Sequence, residues 1–367
     1  MYCKKGFKIK QFIIGLCLIA TPVLATAEST VPGEAHPRYN SLMPITTYQI
    51  PVAISFCGYP LPLQERHCRE MLDRELTIAI YNQAQVIMWL KRAPRYFPLF
   101  DIEIEALGLP EDLKFLAVAE SSLIENIHSR AGAAGLWQFM RHTGRRLGLR
   151  ITSTIDERHD PIASTRCALN YLKFLKNKFG SWPLALAAYN CGEKRVSDAV
   201  SEQRTENYHT LSLPSESERY LYRMAAIKLI LSDPAAYGYK IDRRECYEPL
   251  PVDHISLNLK GEVSLVDFAL QLGITYHEIK KLNPHLISKR LPKGRFNLTL
   301  PLGYKDKVAG VLKGLPRQTV KKSHYMVKRG DTLNKLSRRF NIPVIRLTRL
   351  NQLESSKIMI GQKLRLK

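Results

Sequence analysis

The chain has 367 residues, of which 45% are hydrophobic and 24% are charged, a composition typical of globular domains that excludes wholesale disorder. Its length allows two or three domains at roughly 150 residues each. The 55 Lys and Arg residues outnumber the 33 Asp and Glu residues and give a net charge of +22, which indicates an anionic partner such as nucleic acid, a membrane surface or an acidic polymer.

Residues 1–27 have the pattern of a secretory signal peptide. Lysines precede an apolar run from Phe12 to about Leu24, and an Ala-Thr-Ala cleavage site follows. A membrane anchor is the alternative, but the run is shorter than the ~20 apolar residues of a spanning helix and contains Pro22. We therefore expect an exported protein with no transmembrane segment after cleavage, which argues against nucleic acid as the partner.

Five cysteines follow the predicted signal peptide, and an odd number leaves at least one thiol unpaired or paired with another chain. None of them has a CxxC or Cys/His spacing that would indicate a metal site, so we predict no metal. Cys57 and Cys68 are close enough in sequence to staple the start of the first long helix, but the sequence leaves the connectivity open among Cys57, Cys68, Cys167, Cys191 and Cys246.

A helical block follows a different N-terminal segment. Residues 28–65 are rich in Pro, Ser and Thr and predict an extended N-terminal arm. From Arg66, apolar residues at intervals of three and four predict an amphipathic helix that ends near Pro94. A second helix is expected after Pro110, and the same pattern predicts helices over 161–179, 183–190 and 216–232.

The C-terminal third contains an internal repeat. When Val263 is aligned with Asp331, most apolar positions match over the next twenty residues, which indicates two copies of one small unit. Each copy predicts a strand, two helices and a second strand. The copies cover 254–302 and 324–367, and a basic linker covers 303–323.

The segment from Leu116 to Met140 has the densest chemistry. Glu120 ends an apolar helix, and apolar surroundings can raise the pKa of a glutamate enough to keep a proton for general acid catalysis. Two glycines downstream allow a tight backbone turn, and Trp137 and Gln138 add a flat face and an amide suited to a sugar. The alternative is structural, with a solvated glutamate at a helix end and Trp137 in the core.

Three motifs in order carry a family resemblance: ESS with HSRAGAAGLWQFM, then AAYNCG, then LPSESERY. Over about 96–235 they resemble the lytic transglycosylases with a goose-lysozyme-like SLT domain. The repeats resemble LysM modules, strongly at 324–367 and in degenerate form at 254–302. The resemblance implies an α+β multidomain chain, in which a mainly α-helical, lysozyme-like SLT domain with its preceding helix covers 66–240 and small βααβ LysM modules follow.

The same resemblance implies roles for individual residues. Glu120 corresponds to the single catalytic acid/base. The positions that match substrate-binding residues of the cleft are Ser129, Gln138, Met140, Tyr189, Asn190 and Tyr220. Three positions depart from the family pattern, since Cys191 replaces a small residue, Lys194 a common glycine and Ser217 a threonine; none of them touches the acid.

In the last repeat, the LysM likeness implies a shallow groove for N-acetylglucosamine chains. Gly330, Asp331 and Thr332 form one side, opposite a segment that includes Ile360. The first copy has Glu262-Val263-Ser264 where the last has Gly-Asp-Thr, so we expect it to be structural. A helix-turn-helix unit that binds DNA is the alternative, and the predicted export argues against it.

The implied activity is cleavage of the bond between N-acetylmuramic acid and N-acetylglucosamine in peptidoglycan, with a 1,6-anhydro ring as product and no metal or organic cofactor. A lysozyme-like hydrolase and a non-catalytic peptidoglycan-binding protein are the alternatives. We expect a monomer in the periplasm, associated with the cell wall. Residues 324–367 hold 11 Lys and Arg against two acids, so anionic envelope polymers are a further expected partner.

Overall fold

The computed structural model describes residues 47–315, 324–340 and 342–366. The predicted signal peptide at 1–27, the first part of the segment 28–65 and the last part of the linker 303–323 lie outside the described residues. The described chain has the expected α+β architecture, in which a helical block is followed by two small βααβ modules.

The helical block opens with an antiparallel pair of short strands, β1 (Ser55–Phe56) and β2 (Tyr59–Pro60). Its α-helices are α1 (Arg66–Tyr81), α2 (Gln83–Leu107), α3 (Lys114–Ser121), α4 (Arg141–Arg146), α5 (Pro161–Phe179), α6 (Trp182–Cys191), α7 (Glu193–Gln203) and α8 (Ser215–Ser232). One hydrophobic core joins the elements of this block. The helices expected near 161–179, 183–190 and 216–232 are confirmed.

Local sequence explains where α5 and α6 begin. The carboxylate of Asp160 accepts hydrogen bonds from the backbone N–H groups of Ile162 and Ala163, at 3.0 Å each, and Pro161 occupies the first turn of α5. Ser181 caps α6 in the same way through the N–H of Leu184, at 3.4 Å. These caps satisfy N–H groups that have no partner within their own helix.

The prediction of one helix that ends near Pro94 is wrong. The helix is interrupted at Asn82, between α1 and α2. Helix α2 then continues through both Pro94 and Pro98. A proline inside a helix removes one backbone hydrogen bond. Burial of large side chains along α2, among them Trp89 and Phe100, compensates for that loss.

The described part of the segment 28–65 is not an extended arm. Phe56, Leu61 and Leu63 are buried in the core of the helical block. The backbone N–H of Cys57 also donates to Oδ2 of Asp112, at 2.7 Å. A segment without helical periodicity therefore packs on the block through a few large apolar side chains.

The suggested staple between Cys57 and Cys68 is not formed. All five cysteines of the described residues are free thiols, and both of these are buried. The Cys68 thiol lies 3.6 Å from Oε2 of Glu65 and donates to it. Burial raises the pKa of the Cys57 thiol well above its usual range, so this sulfur stays protonated and unreactive.

The first repeat forms what we call the middle module, residues 252–315. Its elements are β3 (Val252–Leu259), β4 (Val263–Ser264), α9 (Leu265–Leu272), α10 (Tyr276–Leu282), β5 (Arg290–Leu291), β6 (Gly294–Pro301) and α11 (Val308–Gly314). Strand β3 pairs antiparallel with β6, and β4 pairs antiparallel with β5.

Helix α11 corrects the linker predicted over 303–323, because the described part of that segment belongs to the middle module. Val308 and Leu315 are buried in the core of the module, and Val311 and Leu312 pack against it. Their spacing places apolar side chains on one face of a short helix, which covers α9.

The last module has the expected order of strand, two helices and strand. Its elements are β7 (His324–Met326), α12 (Leu333–Phe340), α13 (Val344–Leu350) and β8 (Lys363–Arg365), with β7 antiparallel to β8. Leu336, Leu347 and Leu364 form the centre of its small core. Across all the described residues, we find no helix with the length and apolar character needed to cross a membrane.

Candidate active site

Glu120 lies in the last turn of α3, a helix whose other side is fully buried. The residues just before it, from Phe115 to Val118, belong to the core, and the helix ends at Ser122 in the left-handed conformation with φ of 52°. The carboxylate of Glu120 is half-buried and accepts a hydrogen bond from the hydroxyl of Tyr220 on α8. The end of α3 thus presents a carboxylate to the middle of α8.

Burial dominates the electrostatics of Glu120. Loss of hydration raises the pKa of its carboxyl group from 4.5 to about 7, and the nearby charge of Glu216 acts in the same direction. The hydrogen bond from Tyr220 and the charge of Arg223 oppose this rise. A substantial fraction of Glu120 is therefore protonated at neutral pH, as a general acid requires.

Tyr220 remains a hydrogen-bond donor throughout the physiological range. Its side chain is buried, and burial together with the charge of Glu120 raises the pKa of its hydroxyl well above the ordinary value. Tyr189 on α6 behaves in the same way, since burial and then the charge of Glu120 raise the pKa of its hydroxyl. The three side chains therefore form one electrostatically coupled group from α3, α6 and α8.

Asn190 is positioned by α8. Its Oδ1 atom accepts a hydrogen bond of 2.6 Å from the hydroxyl of Ser217, which is buried. The hydroxyl of Tyr208 lies 2.7 Å from the backbone oxygen of Ser217 and 2.8 Å from that of Glu218, so it fixes the first turn of α8. These contacts join the ends of α6 and α8 on the side of Glu120.

Residues 128–140 form what we call the site loop, which contains three of the predicted binding residues. The hydroxyl of Ser129 accepts from the backbone N–H of Ala133 at 3.0 Å, and the amide of Gln138 donates to the backbone oxygen of Gly135 at 2.9 Å. Both bonds stay within the loop, and Ser129 is exposed. Met140 is half-buried and occupies the cap position of α4.

At Gly135, the backbone of the site loop packs closely against the backbone of Arg158. Its φ is +83°, and a Cβ atom placed on it would lie 1.7 Å from the backbone oxygen of Arg158. Only glycine fits that space and that conformation. Of the two glycines noted in the sequence, Gly135 thus serves a close contact between two backbones, whereas a Cβ atom on Gly132 would have nothing within 4 Å.

Trp137 is a core residue and offers no face to a ligand. It is 0% exposed, and its indole N–H donates to the hydroxyl of Thr165 at 2.9 Å. Its backbone oxygen accepts a bond of 2.7 Å from the hydroxyl of Tyr189. The structural alternative for this residue, a place in the core, is therefore correct. Trp137 also links the site loop to Tyr189.

Sequence reasoning missed the buried ion pair behind the site loop. The guanidinium of Arg158 makes two hydrogen bonds to the carboxylate of Asp156, at 2.9 and 2.7 Å. It also donates to the backbone oxygens of Gly132 and Phe139, at 2.8 and 3.0 Å. The run of charges at 156–160 was the available signal, but nothing in it indicated which loop the arginine would hold.

Glu125 is a second half-buried carboxylate near α3. It lies beyond the end of the helix and accepts a hydrogen bond of 3.0 Å from the hydroxyl of Tyr96. Burial raises the pKa of its carboxyl group. The pair of Tyr96 and Glu125 resembles that of Tyr220 and Glu120 in chemistry, yet it bonds to a different part of the block.

In the last module, the predicted sugar-binding residues lie on one loop and one facing segment. The carboxylate of Asp331 accepts from the hydroxyl of Tyr325 at 2.7 Å and from the backbone N–H of Lys328 at 2.8 Å, so it holds the loop. The hydroxyl of Thr332 accepts from the N–H of Lys335 in the first turn of α12. Gly330 has φ of +86° in the same turn, and Ile360 is 69% exposed on the facing segment.

Comparison with known protein families matches two segments of the chain. The transglycosylase SLT domain matches residues 105–212, and the LysM domain matches residues 325–367. This chain contains an SLT domain and a LysM domain. The resemblance to the SLT-domain lytic transglycosylases is thereby confirmed, and the site loop, Glu120 and Asn190 all lie within the matched part of the SLT domain.

The chain is also similar to an individual relative over most of its length. The chain is 30% identical over 290 residues to the membrane-bound lytic murein transglycosylase D of Escherichia coli K12, a match that covers 74% of this chain and 63% of the relative. The chain thus spans less than two thirds of the length of that relative.

Two solved structures show a more distant likeness to this chain. An inactive mutant of the lytic transglycosylase Slt from Pseudomonas aeruginosa is 24% identical, with a TM-score of 0.32 over 41% of this chain and 26% of that one. The 70 kDa soluble lytic transglycosylase of Escherichia coli is 20% identical, with a TM-score of 0.33 over 48% of this chain and 33% of that one.

Proposed function

We propose that this protein is a peptidoglycan lytic transglycosylase in which Glu120 is the single general acid and base. The observation that carries the proposal is the state of Glu120, whose pKa is raised to about 7 by burial while Tyr220 holds its carboxyl group in place. The SLT domain and the relative named above support the same class of enzyme.

In the proposed reaction, the proton of Glu120 moves to the glycosidic oxygen between N-acetylmuramic acid and N-acetylglucosamine. The bond from C1 of the muramyl residue to that oxygen breaks, and N-acetylglucosamine leaves with a free 4-hydroxyl group. The carboxylate then takes the proton of the muramyl 6-hydroxyl, whose oxygen bonds to C1. The 1,6-anhydro ring closes without water, and Glu120 is protonated again.

The tethered nucleophile explains why one carboxyl group suffices. Most glycoside hydrolases use two carboxyl groups, one of which activates water or attacks the sugar. In the proposed reaction the 6-hydroxyl belongs to the substrate, and such an intramolecular attack has a large proximity advantage. We assign Ser129, Gln138, Met140, Tyr189 and Asn190 to the surrounding cleft, where they bind the glycan strand. Tyr220 belongs to the same cleft but is buried, and it acts there through its bond to Glu120.

A lysozyme-like hydrolase remains the competing function, and one feature gives it a specific candidate. Glu216 is the other carboxylate whose charge acts on Glu120, and it is exposed at the start of α8. It lies 3.8 Å from a nitrogen of Arg223. Mass spectrometry of the soluble products separates the two reactions, because a hydrolase leaves reducing ends where a transglycosylase leaves anhydromuramyl ends.

The direct test of Glu120 is the Glu120→Gln variant on purified sacculi. We expect release of soluble fragments to fall by at least about a thousandfold while binding to sacculi is kept, since loss of the general acid removes both proton transfers. Glu125→Gln is the matched control, because Glu125 is also half-buried and accepts a hydrogen bond from a tyrosine. Activity of Glu120→Gln close to that of the unmodified protein would overturn the assignment.

The LysM domain is proposed to retain the enzyme on the wall. Gly330, Asp331, Thr332 and Ile360 would contact N-acetylglucosamine chains across the shallow groove between their two segments. The basic residues of 324–367 would add an attraction to anionic envelope polymers. Together with the predicted signal peptide, these contacts support a periplasmic, wall-associated protein, which we propose to be a monomer.

A further inference from the structure

The middle module differs from the last module where a sugar groove would lie. The stretches that align with 330–332 and 358–361 of the last module are paired to each other as strands β4 and β5. Arg290 on β5 also bonds to the carboxylate of Glu262 at 2.8 Å, just before β4. Backbone and side-chain contacts between the two segments therefore take the place of an open groove.

The segment just before β5 joins the middle module to the helical block. Ile155 of the block and Leu286 of the module form an isolated antiparallel bridge, and both side chains are 0% exposed within a single apolar cluster. Two main-chain hydrogen bonds flank this bridge, from Asp156 N to His285 O at 2.8 Å and from Ile287 N to Thr154 O at 3.0 Å.

Side chains extend the same junction on both sides of the bridge. The guanidinium of Arg150 donates to the backbone oxygen of Arg295 at 2.5 Å. The ring of His285 is buried, with Nδ1 3.8 Å from the carboxylate of Asp160 and Nε2 3.2 Å from the backbone oxygen of Asn297. The junction thus combines an apolar contact, a short main-chain ladder and buried polar groups, a set of contacts typical of a fixed interface.

The junction lies directly behind the site loop. Asp156, whose backbone N–H bonds to the middle module, is the ion-pair partner of Arg158. Arg158 holds the site loop at two points, through the backbone oxygens of Gly132 and Phe139. A continuous series of hydrogen bonds therefore runs from the module through one buried ion pair to the loop that carries Ser129 and Gln138.

We propose that the middle module is a brace that positions the site loop, and that its closed groove binds no sugar. Leu286 is a positioning residue in this scheme, because it acts on the loop through Ile155 and the Asp156–Arg158 pair. The effect of the brace on catalysis rests on the function proposed above. Its effect on the conformation of the site loop does not depend on that function.

Hydrogen exchange on the full chain tests the brace without any need for activity. The N–H groups of Ala134 and Gly135 bond to the backbone oxygens of Phe139 and Ile127, each at 3.1 Å, and report on the loop. We expect Leu286→Ala to speed exchange at these two amides at least about tenfold, because local opening becomes easier when its support is removed. Leu286→Met, which conserves volume, should restore slow exchange.

Leu272→Ala is the matched control. Leu272 is a buried leucine of the same module, on α9, which packs against α10 and α11. The Leu272→Ala substitution creates a cavity in the module similar to that of Leu286→Ala. It should therefore lower the free energy of unfolding of the protein without a selective effect on exchange in the site loop. Equal exchange in the Leu286→Ala and Leu272→Ala variants at the loop amides would overturn the brace.

Kinetics and binding complete the test. For an active enzyme, we expect Leu286→Ala to lower kcat roughly ten- to a hundredfold with little change in binding to sacculi, since a small misplacement of the loop affects the reacting geometry. Loss of sacculus binding in Leu286→Ala with an unchanged loop would overturn the brace and assign the module to wall recognition. A protein without activity would contradict the proposed function alone, because the exchange result would stand.

Discussion

The hydroxyl of Tyr220 donates a hydrogen bond to Oε1 of Glu120, although the two residues lie 100 positions apart in the chain. The bond connects α8 to the last turn of α3 and aims a protonated phenol at a half-buried carboxyl group. Because a hydrogen bond to the charged form favours ionisation, Tyr220 limits the rise that burial causes in the pKa of Glu120.

Tyr220→Phe should therefore move the pH dependence of cleavage. A general acid works in its protonated form, so activity falls as pH rises through the pKa of about 7. Removal of the hydroxyl raises that pKa further, so the alkaline limb of the pH–rate profile should shift to higher pH. The maximal rate of cleavage should fall about tenfold or more. Tyr96→Phe removes the equivalent bond to Glu125 and should leave the limb in place. A shift of the limb to lower pH would contradict this role.

Glu120→Gln should stabilise the fold at alkaline pH. The pKa of Glu120 is about 7 in the folded protein and near 4.5 when unfolded, so folding takes up a proton between these values and stability falls as pH rises through them. The variant should gain on the order of 1–3 kcal/mol in free energy of unfolding at pH 8 and almost nothing at pH 4. Thermal denaturation at the two pH values measures this.

A control of opposite sign is available in Glu193. Its carboxylate accepts from Arg146, Lys178 and Tyr171, and these bonds lower its pKa to about 2 despite partial burial. Its stabilising effect is present above pH 4.5 and lost as pH falls toward 2. Glu193→Gln should destabilise the protein at pH 8, and a gain there for both variants would show that the glutamine itself is responsible.

Gly135→Ala should disrupt the site loop. The new methyl group would lie 1.7 Å from the backbone oxygen of Arg158 and the residue would keep a positive φ, for a combined cost of about 2–5 kcal/mol. Gly132→Ala in the same loop has φ of +89° with nothing within 4 Å, so it should cost only about 1–2 kcal/mol. Urea denaturation compares them, and equal losses would refute the steric explanation.

Ser217→Ala should weaken substrate binding more than it weakens the fold. The Ser217 hydroxyl bonds to Oδ1 of Asn190 at 2.6 Å, and without it the amide of Asn190 loses its orientation. We expect KM for glycan strands to rise several-fold, in keeping with the ~1 kcal/mol of a typical hydrogen bond. Ser217→Thr keeps the hydroxyl and should behave as the unmodified protein. An unchanged KM in Ser217→Ala would remove Asn190 from the binding site.

Binding to the wall should depend on salt. The Glu120→Gln protein, which we expect not to cleave the glycan strands, can be titrated onto sacculi at ionic strengths from about 0.05 M to 0.5 M, a range over which the screening length shortens severalfold. The basic charge of 324–367 predicts a steep loss of binding over this range. Binding that does not respond to salt would assign retention to sugar contacts alone.

The elements of this protein were largely predictable from the sequence where local signals act. Pro161 and Ser181 mark the starts of α5 and α6, and the repeat at an offset of 68 residues predicted both βααβ modules. The continuation of α2 through Pro94 and Pro98 was not predictable, because packing along α2 compensates for the two prolines. Short-range patterns report capping and periodicity, but they do not contain the energy of burial against distant elements.

The same distinction between short-range patterns and tertiary packing applies to the candidate site. Sequence alone determined which residue types meet the needs of the chemistry, with Glu120 at the end of an apolar helix and Asn190 at the end of another. Only the tertiary structure decided that Tyr220 bonds to Glu120, that Trp137 is buried, and that Arg158 holds the site loop. These contacts join residues far apart in the chain, and their geometry exists only once the core has placed the helices.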